Sequence, residues 1–318
     1  MKILILQNRM GIGDMVMFLP FIEAISKKFK TPVSLLVKKN TKVDMYFTNN
    51  EFVKEIIYLE RENNERHSGI LGFFKLIKEI KLKKFDKIFI FNSSLRYFLV
   101  AKFSNISEIF HYPLFEKKNQ QIIETAKDFV FKTIGEDVEC TPKLFLDNQD
   151  IVKAKKDYSI DQNITNVILG IGGSGKTKRV PASIFKFFIG KVLKSYNCRF
   201  FLLTGNDIDE LKIMNEILES EYKRYCTPLN NLSIKKILPV IQSCKIAICN
   251  DSSFSHLSAG LGLKTIVLMV DTPLIYGSYN KNMHPVLPEG EDNVTHNTLG
   301  KEKINPNEIY NKFVKLLG

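Results

Sequence analysis

Apolar residues fall into two rhythms along this chain. Unbroken runs of a few residues, bounded by turn formers, occur at 2–7 (KILILQ), 33–38 (VSLLVK), 55–59 (EIIYL) and 86–91 (DKIFIF). The second half repeats them at 166–173, 199–205, 245–250 and 264–270. Runs of that length read as buried strands. Between them the apolar positions recur at helical spacing, which predicts helices over 15–29, 69–82, 94–103 and 120–134. Later helices are predicted over 181–196, 207–220, 233–243, 253–261 and 305–317. Strand and helix alternate throughout, the pattern of a parallel sheet covered by helices.

The alternation pauses once. CTPKLFLDNQD, residues 140–150, holds a proline and little periodicity. Two doubly wound α/β domains are therefore expected, 1–150 and 151–318, facing a cleft. The last helix, 305–317, is a candidate to pack back on the first domain. A chain of 318 residues suits two such domains.

Composition narrows the class. No stretch reaches the roughly 18 apolar residues of a membrane helix, and the N-terminal run is too short for a signal-peptide core. Five cysteines without paired spacing point away from a disulfide framework or a zinc site, and fit a reducing compartment. The net charge of +12 favours anionic partners. Residues 61–102 carry ten Lys and Arg against four Asp and Glu, with aromatic residues between them. That stretch, which includes Arg96, reads as a surface for a phosphorylated or membrane-held acceptor, or as a solvated face over a Phe-rich core. No nucleic-acid-binding module is present, so nucleic acid is not expected as a partner.

Candidate chemistry sits at strand ends. Gly11-Ile12-Gly13-Asp14 follows the first strand. Glycines there permit a sharp turn and close approach, and Asp14 is either a working carboxylate or an N-cap. It is not a dinucleotide fingerprint, because Val16 stands where a third glycine is needed. Gly170 to Lys176 follows a strand and reads as a phosphate cradle. Gly170, Gly175, Lys176 and Thr177 match the P-loop register, but Pro181 comes early in the next helix. Asn250-Asp251-Ser252-Ser253-Phe254-Ser255-His256 offers hydroxyls and helix-start amides to phosphate oxygens. It equally suits a capping cluster with a buried histidine. Asp207-Ile208-Asp209 opens a helix and reads as dipole-favoured carboxylates rather than a metal ligand pair. No metal site is expected, since the histidines lack ligand spacing.

Four of these segments, in order, resemble the heptosyltransferases of glycosyltransferase family nine: KILIL..RMGIGDMVMFLP, ILGIGGSGKTKRVP, FLLTGNDIDE and CNDSSFSHLSAGLGLKTIVLMVDTP. The resemblance covers nearly the whole chain. It implies a GT-B fold of two Rossmann-like domains, acceptor on the first and nucleotide sugar on the second. It implies inversion at the anomeric carbon without an essential metal, and no cofactor besides the donor. Asp14 aligns with the family's proposed base, and Gly11, Gly13 and Arg96 are candidate acceptor contacts. Lys178 aligns with a lysine on the donor diphosphate, with Arg179, Gly173, Ser174 and Gly175 beside it. Asp209 aligns with an acidic residue near the ribose, and Thr204 and Gly205 are further candidate donor contacts. Asp251, Ser252, Ser253 and His256 align with the loop that grips diphosphate and sugar, and Thr272 falls near the same site.

The chain departs from the family at two donor-side positions. Ser253 stands where glycine is usual, and Val270-Asp271-Thr272 where Gly-Pro-Thr is usual. The expected function is transfer of a heptose or related sugar from ADP-heptose, or another nucleotide sugar, to a lipopolysaccharide core or related glycan. The acceptor is a phosphorylated glycolipid or glycan. The expected location is the cytoplasm, either free or in peripheral contact with the anionic inner face of the bacterial inner membrane. The alternatives are a GT-B transferase with another donor and a non-core acceptor, and a non-catalytic binding protein of the same fold. A P-loop ATPase is a further reading.

Overall fold

In a computed structural model that describes residues 1–9, 11–47, 50–62, 64–114 and 122–318, the chain divides into two units. The division falls between Pro142 and Lys143, eight residues before the expected boundary. Residues 148–157, for which no element was expected, form a helix of the second unit.

The first unit runs β1 (Ile3–Gln7), α1 (Ile12–Phe29), β2 (Val33–Lys38), β3 (Val53–Leu59), α2 (Gly69–Lys83) and β4 (Lys87–Ile90). It continues with α3 (Leu95–Phe103), β5 (Glu108–His111) and α4 (Ile122–Ile134). Gln120 and Gln121, the expected start of the last helix, lie outside the described residues. The sheet is fully parallel in the order β3-β2-β1-β4-β5. Every residue of β1 is buried, which explains why it reads as an unbroken apolar run.

The second unit runs α5 (Asn148–Asp157), β6 (Thr165–Gly170), α6 (Ala182–Leu193), β7 (Cys198–Leu203), α7 (Ile208–Leu218) and β8 (Cys226–Pro228). Then come α8 (Ile234–Gln242), β9 (Ile246–Asn250), α9 (Ser253–Gly260), β10 (Lys264–Leu268), β11 (Met283–Val286) and α10 (Pro306–Leu317). Its sheet is parallel in the order β11-β10-β9-β6-β7-β8.

Both sheets wind outward from their first strand and then restart on its other side. The reversal lies between β1 and β4 in one unit and between β6 and β9 in the other. At such a point two loops leave the strand ends in opposite directions and open a crevice for a ligand. Each unit is thus a Rossmann-like, doubly wound α/β sheet. Among the described residues no helix is long and apolar enough to cross a membrane.

The last helix belongs to the core of the second unit. Ile309 and Phe313 are fully buried there, and the Phe313 ring meets Phe188 and Tyr196 edge-on at 5.4 and 5.7 Å. Phe313→Ala should cost about 3–5 kcal/mol. Urea unfolding of the full chain measures it, and a loss below about 1 kcal/mol would mean that α10 contributes little to this core.

Candidate functional site

The loop after β6 carries the glycines expected to cradle phosphate, and it is tied down from three sides. Asn250, the last residue of β9, donates from Nδ2 to the Ile171 carbonyl at 2.8 Å. The Gly173 amide donates to Glu210 Oε1 at 3.1 Å. Arg179 Nε donates back to the Gly173 carbonyl at 2.9 Å. Ser174 is exposed and Gly175 half-buried at the tip of the loop.

Glu210 is the organising residue, and the sequence reading passed over it. It sits in the first turn of α7 and is buried. Its second oxygen accepts the amide of Gly205, so one carboxylate holds the loops that leave both β6 and β7. A side chain on Gly172 would stand 2.6 Å from Glu210 Oε2, and one on Gly205 would stand 3.0 Å from it. Those glycines are therefore needed to admit this carboxylate. The available signal was a glycine at the end of two adjacent strands followed by a glutamate in a first helical turn.

Charge at the site is closely matched. Arg179, itself buried, meets Asp207 at 2.7 Å, Glu210 at 3.3 Å and Asp209 at 3.6 Å. Lys176 meets Asp209 at 2.8 Å. The guanidinium beside Asp207, and then the Asp209 amide, hold the Asp207 carboxyl below its usual range. Asp207 and Asp209 thus serve as partners for cations and as helix-start carboxylates. The loop does not run into a helix at Lys176, as a P-loop must. Residues 176–178 make one 3-10 turn and α6 begins only at Ala182, after Pro181.

Across the reversal point Lys178 Nζ meets Asp251 Oδ2 at 3.0 Å, joining the loops after β6 and β9. Asp251 is buried and Lys178 half-exposed. Ser252 occupies the N-cap of α9, yet its hydroxyl makes no capping bond. That hydroxyl is buried and unpartnered among the described residues, as are those of Thr204 after β7 and Thr272 after β10. Ser253 opens α9. His256 lies one turn in, buried, with Nδ1 2.9 Å from the Tyr279 hydroxyl and the two rings stacked at 5.6 Å. Burial lowers its pKa to about 4 against the opposing pull of Asp251, and Lys178 lowers it further. His256 is therefore neutral at pH 7. Asp271, beside Thr272, accepts the Leu299 amide at 3.0 Å.

In the first unit, Gly11 caps α1 with φ +104°, a conformation that strains any residue with a side chain. Asp14 is therefore not the N-cap. It and Gly13 stand inside the first turn, where the helix dipole favours negative charge. Asp14 Oδ1 lies 3.8 Å from Arg9 Nη1, and its side chain is 21% exposed. Asn92 Nδ2 donates to Asn8 Oδ1 at 2.9 Å, bridging the loops after β1 and β4 at this unit's own reversal point. Arg96 is occupied differently. It donates to the carbonyls of His67 and Gly69 and lies over the Phe73 ring, fastening α3 to the start of α2. Among the described residues no group of three or more His, Cys, Asp or Glu is arranged to hold a metal.

Two outcomes follow. Glu210→Ala leaves Arg179 short of a buried partner and two loops untied, and should cost about 3–5 kcal/mol in urea unfolding; a loss under about 1 kcal/mol would remove its organising role. His256 has a folded pKa below the value of 6.5 for the unfolded chain. The unfolded chain thus takes up a proton that the folded protein refuses. Stability is unaffected above about pH 6.5 and falls as the pH drops from there towards about 4. His256→Gln should flatten that part of the pH–stability profile; an unchanged slope would show that other groups cause it.

No curated protein sequence matches the chain. Its fold is shared with several solved structures. The ADP-heptose lipopolysaccharide heptosyltransferase II of E. coli superposes with a TM-score of 0.75 at 18% identity, covering 100% of this chain and 98% of that one. A glycosyl transferase family 9 protein of Veillonella parvula gives 0.75 at 16% identity, covering 99% and 97%. The E. coli heptosyltransferase WaaC, solved with ADP, gives 0.72 at 14% identity, covering 99% and 100%. At such identities these likenesses speak for the fold. The sequence profile of glycosyltransferase family 9 (heptosyltransferase) matches residues 114–303, more than half of the chain and nearly all of the second unit. The chain belongs to that family and is a glycosyltransferase.

Proposed function

We propose that this glycosyltransferase moves a heptose-type sugar from an ADP-linked donor to a lipopolysaccharide core or related glycan, with inversion and without a metal. The observation that carries the donor side is the Lys178–Asp251 pair across the β6–β9 reversal, together with unpartnered buried hydroxyls at Thr204, Ser252 and Thr272, each just beyond the end of β7, β9 or β10. Buried hydroxyls left without partners are costly. A diphosphate and its sugar would supply acceptors and donors for all three. The structural relatives solved as an ADP-heptose enzyme and with ADP support the choice of nucleotide.

In this reading Lys178 keeps one hydrogen for Asp251 and turns the others to the diphosphate, since an ammonium has three to give. As the sugar–phosphate bond lengthens, charge gathers on the leaving diphosphate, and Lys178 with the Ser174 and Gly175 amides stabilises it. The Gly173 amide and Arg179 are already engaged by Glu210 and its neighbours, so they shape the loop. His256, uncharged and fixed by Tyr279, offers the sugar a hydrogen bond without repelling the cationic transition state. Asp14 takes the proton of the acceptor hydroxyl as the new bond forms.

A different nucleotide sugar is the second reading. Ser253 and the hydrogen-bonded Asp271 favour it, because both replace what the family usually carries near the donor.

Thermal unfolding against ADP-heptose, ADP, UDP-sugars and GDP-sugars tests the donor. A ligand at about 100 times its Kd stabilises by about 2.7 kcal/mol. ADP-heptose and ADP should do so, and Lys178→Ala should abolish the shift. Asp14→Ala should keep the shift and lower kcat by roughly 10²–10⁴-fold. A shift with UDP- or GDP-sugars alone would replace the donor. Unchanged donor affinity in Lys178→Ala, or unchanged turnover in Asp14→Ala, would remove those assignments.

A further inference from the structure

Helix α2 is apolar on two sides, and among the described residues only one of them is covered. Gly72, Leu76 and Ile80 face inward and are buried. Ile70, Leu71, Phe74 and Leu82 face the other way and are between 61% and 79% exposed. Spacings of three and four residues place Leu71, Phe74, Lys78 and Leu82 along one line of the helix. Lys75, Lys78 and Lys81 are exposed on this same outer face. Glu79, the one acidic residue of α2, lies off that face and is held by Arg66 at 2.7 Å and His67 at 3.2 Å. The patch extends onto α3. Exposed Phe103 meets Phe73 edge-on, and Phe73 in turn meets Phe74. Lys102 is exposed beside Phe103.

We propose that this outer face of α2, with Phe103 and Lys102, docks the protein on an anionic lipid surface. Isolated exposed apolar residues need no explanation, but a contiguous group on one helix pair marks an interaction site. The charges choose the occupant. Every ionised group on the outer face of α2 is a cation, set beside large apolar side chains. Apolar side chains enter the boundary between headgroups and acyl chains, while lysines on the same helix remain at the lipid phosphates. A second copy of the chain fits poorly, because a two-fold contact would set these lysines against themselves. The proposal stands apart from the donor assignment. It gives the enzyme a way to meet an acceptor carried in a membrane.

Co-sedimentation of the full chain with vesicles tests it. The protein should pellet with phosphatidylcholine–phosphatidylglycerol vesicles, not with phosphatidylcholine alone, and high salt should release it. Lys75→Glu/Lys78→Glu should weaken binding by at least about tenfold, and Ile70→Ser/Phe74→Ser should do the same by removing the inserting side chains. These positions are exposed, so the thermal midpoint and the donor-induced shift of both variants should match the wild type. Vesicle binding equal to wild type in either double variant would overturn the proposal, as would failure of the wild type to pellet with anionic vesicles. Failure to pellet together with a concentration-dependent dimer lost in Ile70→Ser/Phe74→Ser would overturn it in favour of a second copy.

Discussion

A carboxylate taken out of water has to be answered on both oxygens, and Glu210 is. One oxygen accepts the amide of Gly173 and the other that of Gly205, while Arg179 balances the charge. Without those partners the ion would cost several kcal/mol to bury. With them, the loops after β6 and β7 are held to a single first turn of α7. Arg179 then spans from that turn to the Gly173 carbonyl, which fixes where the chain leaves the loop and so where Lys178 begins. The Lys178–Asp251 pair across the reversal point depends on this chain of ties.

The ties also divide labour among cations that look alike in sequence. Lys176, Lys178 and Arg179 lie within four residues of one another. Arg179 is buried and fully engaged; Lys176 is exposed and paired with Asp209. Lys178 is the one set beside a buried aspartate at the strand reversal. A guanidinium is suited to the structural task because its fixed fork can meet several oxygens at once, whereas an ammonium can be reoriented. The difference is in side-chain geometry, which residue order cannot express.

What was legible in the sequence follows the same distinction. Strands buried on both faces announce themselves as unbroken apolar runs, and β1, β2, β6, β7, β9 and β10 were read that way. Short strands away from the sheet centre have less burial to impose a pattern. β5, β8 and β11 were missed, and so was α5, whose only buried residue is Ala154. The candidate loops were visible because strand ends, glycines and small hydroxyls cluster in order. Glu210, Tyr279, Arg9 and the Asn8–Asn92 bridge were not. Each acts on a partner across a loop or distant in sequence, and only for Glu210 does the residue order carry a hint, in the glycines that end two adjacent strands. Asp14 was ambiguous for a local reason: a GxGD turn allows either the glycine or the aspartate to cap, and only φ at Gly11 separates the two.

Helix α2 shows a different limit. Its spacing identified a helix, and its lysines suggested a surface, but periodicity alone cannot say which apolar face is the covered one when both are apolar. The fold decides it: α3 and the sheet cover Leu76 and Ile80, and Phe74 and Leu71 are left outside. Folding stability does not require those outer side chains, since they bury little. A polar residue at any of them would spare the chain an exposed apolar surface, which is a liability for a free protein. Large apolar residues beside lysines at these positions therefore answer to something other than the core. The loops tied by Glu210 and this helix face are thus two separate demands on one sequence, the first met by buried charge and the second by exposed hydrocarbon.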